Sequence, residues 1–141
     1  MTNKAHLSVV KPKGGDTEKI TINLGPVDLG KIDLLVAEGF YSNRTDLIRT
    51  AIRNQLVVHA QAIQETVVRR ELVLGLHHFS KQDLEAILKA KEQLAIQVLG
   101  LASIASDVSP DLAAATVASV EVLGVFHASP AVKAALAGRI R

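Results

Sequence analysis

Lys19, Thr21 and Asn23 alternate with Ile20, Ile22 and Leu24 in the run EKITINL at residues 18–24. A period of two puts each set on its own face of an extended strand. One face is then wholly apolar. The other carries an ammonium donor, a hydroxyl and an amide that both donates and accepts. A second place for chemistry is Ser42-Asn43-Arg44, where a capping residue precedes an apolar stripe. The free N–H groups and positive dipole end of a helix start make an anion site, and Arg44 adds charge. The five histidines form no chelating set. His77 and His78 are adjacent, so on a helix they point about 100° apart. His6, His59 and His127 have no partner at i+4. No metal site is expected. The absence of cysteine excludes disulfides, thiolate ligands and thiol catalysis. No Gly-rich phosphate loop, Ser-His-Asp set or paired carboxylate cluster is present, so neither an enzyme nor a cofactor is expected.

The elements that position these residues follow in order. Gly25-Pro26 ends the strand, because proline lacks the N–H a ladder needs. No partner strand is predicted in the rest of the chain. A lone strand cannot satisfy its own backbone, so it is expected to pair with the same strand of a second subunit across a two-fold axis. Asp28 is placed as N-cap of a helix bearing Leu29, Ile32, Leu35 and Val36, closed by Gly39 in the left-handed conformation. Phe40 and Tyr41 make a turn. Ser42 or Asn43 caps the next helix, and Asn43 with Asp46 resembles a reciprocal capping box. Leu47, Ile48, Ala51, Ile52, Leu56, His59, Ile63 and Val67 continue one stripe, predicting a long second helix to about residue 70.

Before this stretch, Lys4, Lys11, Pro12, Lys13 and Gly14-Gly15 indicate a flexible basic arm over residues 1–17, with Lys11 and Lys13 as possible DNA contacts. After it, GLHHF at 75–79 reads as a linker or corner. Ser80 starts a helix with the stripe Leu84, Ile87, Leu88, Leu94, Val98 and Leu101. Ser109-Pro110 starts another, running apolar over 112–128. Ser129-Pro130 starts a last one with Val132, Leu136 and Ile140. The shared Ser-Pro opening is the only repeat noted. The resulting expectation is a mainly α chain in four parts: the arm, a binding domain over 18–58, a helix extension and linker over 59–79, and an all-helical region over 80–141. With 141 residues and 48% of them hydrophobic, the chain can bury a core. The formal charge is +2, and the basic surplus lies in residues 1–58, with eight Lys/Arg against six Asp/Glu. The longest uncharged run of the apolar half, 93–106, has 14 residues, too few to span a bilayer. No secretory signal is visible. A cytoplasmic protein without membrane contact is expected.

Residues 18–56 resemble the ribbon-helix-helix DNA-binding fold of the Arc, MetJ and CopG repressors. The resemblance rests on KITINL as the strand, on EGFYSNRTDLIRTAIR as the turn and second helix, and on their spacing. It implies an obligate homodimer whose strands form an antiparallel ribbon in the major groove of double-stranded DNA. Lys19, Thr21 and Asn23 then face base edges, where lysine donates to guanine and asparagine pairs with adenine. Ser42, Asn43 and Arg44 then hold the phosphate backbone. Ile20, Ile22, Leu24, Ile32, Leu35, Leu47, Ile48 and Ile52 would form the dimer core. Lys19 is the only charge on the outward strand face, fewer than in many members, which implies modest affinity per dimer or reliance on several dimers. The His-rich, Cys-containing second domain of nickel-sensing relatives is absent. The function implied is a transcriptional repressor; the alternatives are the antitoxin of a toxin–antitoxin pair or an accessory protein of plasmid transfer or partition. The apolar C-terminal region is expected to join dimers into a higher oligomer through its helices or to hold a protein partner.

Overall fold

A computed structural model describes residues 8–9 and 17–141. The chain divides into two compact units, one over Lys19–Thr66 and the other over Val67–Arg141 together with β1 (Ser8–Val9) and Glu18. The first unit contains α1 (Pro26–Ala37), α2 (Arg44–Val58) and most of α3 (Ala60–Arg69). Residues 18–24 carry no strand pairing among the described residues. α1 starts one turn earlier than expected: Gly25 is its N-cap, Pro26 sits at the first helical position, and Asp28 falls within the first turn. Gly39 does take the left-handed conformation, φ +82°, and the amides of Gly39 and Phe40 return to the carbonyls of Val36 and Leu35. The long second helix is interrupted. α2 ends at Val58, its C-cap His59 leaves the helical range with φ of −97° and ψ of 10°, and α3 resumes at Ala60.

The second unit overturns the all-helical expectation. It is built on β2 (Val73–Phe79), β3 (Leu94–Ile104) and β4 (Val117–His127), which pair in parallel, with β1 antiparallel on the outer edge of β2. The helices α4 (Lys81–Lys89), α5 (Pro110–Thr116) and α6 (Pro130–Ala135) connect or follow the strands, and a 3₁₀ turn at Ala137–Arg139 precedes Ile140, which bridges to Val120 of β4. GLHHF is therefore strand, not linker. The stripe 94–101 belongs to a strand instead of the preceding helix, and the apolar run 112–128 splits at Thr116 into helix and strand. The three serine starts hold: the hydroxyls of Ser80, Ser109 and Ser129 accept from the amides of Asp83, Leu112 and Val132.

A repeat that the shared Ser-Pro opening only hints at organises this unit. Val73-Leu74-Gly75-Leu76, Val98-Leu99-Gly100-Leu101 and Val122-Leu123-Gly124-Val125 are one motif on three strands, and they lie in mutual register. Each strand is followed by a Ser-capped helix, so the unit is a βα module used three times. Sequential parallel strands joined by right-handed crossovers place their helices on one face. The core agrees: Leu84 and Ile87 of α4, Ala113 of α5, Val132 of α6 and its C-cap Leu136 pack with Phe79, Ile96, Val98, Ala102, Ile104 and Val120 of the strands. These strand residues share one face by the register. Two polar devices close the ends of this layer. Arg139 Nη1 donates to the carbonyls of Ala114 and Val117 at the end of α5, and the Thr116 hydroxyl donates to Leu112 O.

Candidate nucleic-acid interface

Positioning in the Lys19–Thr66 unit begins with the turn between α1 and α2. Asn43 is the N-cap of α2, its Oδ1 accepting from the Asp46 amide at 2.8 Å. Asp46 reciprocates one residue further out than the expected box: its Oδ2 accepts from the Ser42 amide at 3.0 Å. Both side chains therefore shape the turn that presents the helix terminus. Arg44 extends back to α1. Its Nε donates to Asp33 Oδ1 at 2.7 Å and its Nη2 to Asp33 Oδ2 at 2.8 Å, a bidentate pair joining the two helices. The Arg44 hydrogen bond holds the Asp33 carboxyl below its ordinary range, and Asp33 in turn raises Arg44. Two of the five guanidinium N–H donors are engaged in this way, which leaves the Nη1 edge for an anion.

Asp33 escaped the sequence reading, although one signal for it exists. Neither Asp33 nor Arg44 has an opposite charge three or four residues away on its own helix, so each calls for a partner elsewhere. The remaining expected contacts, Lys19, Thr21, Asn23, Ser42 and Asn43, are all exposed. Lys11 and Lys13 lie outside the described residues.

The residues expected in the dimer core are poorly covered in the single chain. Ile20, Ile22 and Leu24 are 72%, 53% and 43% exposed, and Leu35 and Ile52 are also exposed. Ile32, Leu47 and Ile48 are half-buried. α1, α2 and α3 hold no buried residue at all. The lone-strand expectation assumed a chain with no other strand, and the four-stranded sheet contradicts that premise. The chain has a sheet. Residues 18–24 are simply not part of it.

A capped helix pair without a buried residue is thus preceded by an alternating segment and followed by an α/β unit with a buried core. The family model described as the Ribbon-Helix-Helix transcriptional regulator family matches residues 15–133, and the chain belongs to that family. At the family level it is a DNA-binding transcriptional regulator, and such proteins usually work as dimers. The match ends within α6, so nearly all of the α/β unit belongs to the family's pattern together with the helix pair. Neither the curated proteins nor the solved structures give a match. Among the described residues no helix is long and apolar enough to cross a membrane.

Proposed function

We propose that the chain is a sequence-specific repressor that binds operator DNA as a dimer, reading bases with a ribbon made from residues 18–24 of two copies. The observation that carries the reading is the missing core of the Lys19–Thr66 unit. Three helices without a buried residue, beside three aliphatic side chains left mostly in water, do not make a stable unit. A second copy supplies what is missing. Pairing the two 18–24 segments covers Ile20, Ile22 and Leu24 and leaves Lys19, Thr21 and Asn23 outward. The terminus of α2, with Ser42, Asn43 and the free edge of Arg44, then suits a phosphate on each side of the groove. The arm lysines Lys11 and Lys13 add backbone contacts.

The antitoxin alternative needs a segment that wraps a toxin, and such tails are usually unstructured when free. The α/β unit has a buried core of its own, which argues against that role.

The test is fluorescence anisotropy on DNA from the region upstream of the chain's own gene, with a scrambled duplex as competitor. Asn23→Ala is expected to weaken specific binding by roughly tenfold or more, since a bidentate base contact contributes ~1–3 kcal/mol and occurs twice per dimer. Binding to the scrambled duplex should change little. Unaltered discrimination in both Asn23→Ala and Lys19→Ala proteins would end the ribbon reading.

A further inference from the structure

The sheet of the α/β unit has two faces, and α4, α5 and α6 all pack on the same one. On the other, Leu74, Leu99 and Leu123 form one cross-strand row and Leu76, Leu101 and Val125 form the next. None of the six joins the core cluster. Leu74 is 67% exposed and Leu123 is 44% exposed. The repeated motif puts an aliphatic side chain outward at both positions of all three strands. Parallel sheets carry an apolar outer face almost only where something covers it.

We propose that this face packs against the same face of a second copy of the chain, about a two-fold axis lying across the strands. The pattern of the face suits itself. Its centre is uncharged. One end carries Gln97 and the Arg70–Glu121 pair, and the other carries His78, bonded to Ser103, and His127, bonded to Glu18. An axis across the strands lays the Glu121 end of each copy on the histidine end of the other, the reciprocity an isologous contact requires. Size points the same way. Three strands about 4.8 Å apart and about 25 Å of strand length give roughly 350 Å² per copy. That is well below the ~800 Å² per partner of a stable free-standing interface. A face of this size holds a molecule that is already tethered, because tethering raises its effective concentration. A copy joined through residues 18–24 is such a molecule, and in this respect the inference rests on the dimer reading above.

Sedimentation equilibrium on the full chain without DNA tests it, using Leu74→Lys/Leu123→Lys and, separately, Ile22→Lys. The sheet-face variant should weaken one association step at least tenfold with native circular dichroism, as both side chains already meet solvent. A wild-type association constant in that variant overturns the inference, including the case where its melting point alone shifts because another part of the same chain covers the face. An Ile22→Lys protein that associates normally overturns the ribbon reading instead. A second measurement covers a variant that fails to fold. The chain has no cysteine, so Leu99→Cys on the central strand should form disulfide-linked pairs under mild oxidation, and Lys89→Cys on the helix side should not. Equal cross-linking of the two also overturns the proposal.

Discussion

Arg44 was expected to hold DNA phosphate, and the structure gives it a second occupation, holding α2 against α1 through Asp33. The two roles are compatible, since a guanidinium presents more than one edge. They separate by pH and by substitution. Asp33 titrates below its ordinary value when folded, so the pair's contribution is present above the unfolded carboxylate pKa near 4 and is lost as pH falls through the folded value. Asp33→Asn should therefore flatten the acid limb of a stability curve measured by circular dichroism, while leaving the Arg44 charge for DNA. Arg44→Ala should in addition reduce the salt dependence of binding, by roughly one unit of log–log slope per subunit. An Arg44→Ala protein with the wild-type salt slope would restrict Arg44 to the positioning role. His77 presents the opposite situation. It is buried on the helix face of β2, and neither ring nitrogen has a hydrogen-bond partner among the described residues. A buried polar group without partners costs stability. His77→Leu should raise the unfolding free energy by about 1 kcal/mol in urea titration; a fall would show that the imidazole makes interactions worth keeping.

The three strands are tied by glycine. Gly75, Gly100 and Gly124 stand in one row with φ of +129°, +138° and +124°, a region nearly closed to other residues. A Cβ at Gly100 would lie 2.2 Å from the Gly75 carbonyl oxygen, and one at Gly124 would lie 2.1 Å from that of Gly100. At Gly75 it would meet only His77 Nε2, at 3.8 Å. Alanine should thus be graded in effect. Gly75→Ala carries backbone strain alone, about 1–3 kcal/mol, whereas Gly100→Ala and Gly124→Ala add a backbone clash and should lower stability further or prevent folding. Equal thermal shifts in all three would contradict the geometry. The same glycines show why this half was hard to read. Helix starts were legible because a Ser hydroxyl three residues before an amide is local chemistry, and Ser80, Ser109 and Ser129 all act as predicted. The strands were not, because apolar residues on both faces of a parallel strand give no alternation, and Ala-rich runs such as 112–120 suit either state. Spacing does not separate Leu94, Val98 and Leu101 on a helix from the same residues on a strand. The recurrent Val-Leu-Gly was the available signal. In the N-terminal unit, by contrast, the left-handed Gly39 follows from a single residue, and the cap of α2 was legible to within one residue, as Ser42 or Asn43. Asp28 was misplaced as a cap because Pro26 had been assigned only to ending the strand.

Across the whole molecule the two units differ in what each needs to be stable. The α/β unit buries Leu84, Ile96, Val98, Val117, Val120, Val132 and Leu136 completely or nearly so within one chain. The Lys19–Thr66 unit buries nothing and is also electrically balanced, with five Lys/Arg against five Asp/Glu. In the proposed dimer its cohesion depends on concentration, whereas that of the α/β core depends mainly on its own packing. Amide hydrogen exchange read by mass spectrometry at protein concentrations on either side of the dissociation constant separates them. Peptides from α1 and α2 should lose most of their protection on dilution, because local opening there approaches the free energy of dissociation. Peptides from α4 and β3 should keep theirs, apart from a change at the outward Leu99 and Leu101 if the sheet face is also uncovered. Adding operator DNA at the low concentration should restore protection in α1 and α2 by drawing two copies together. Protection of α1 and α2 that is independent of dilution would show that this unit holds itself together in a single chain, and the case for a companion copy built on its missing core would fail.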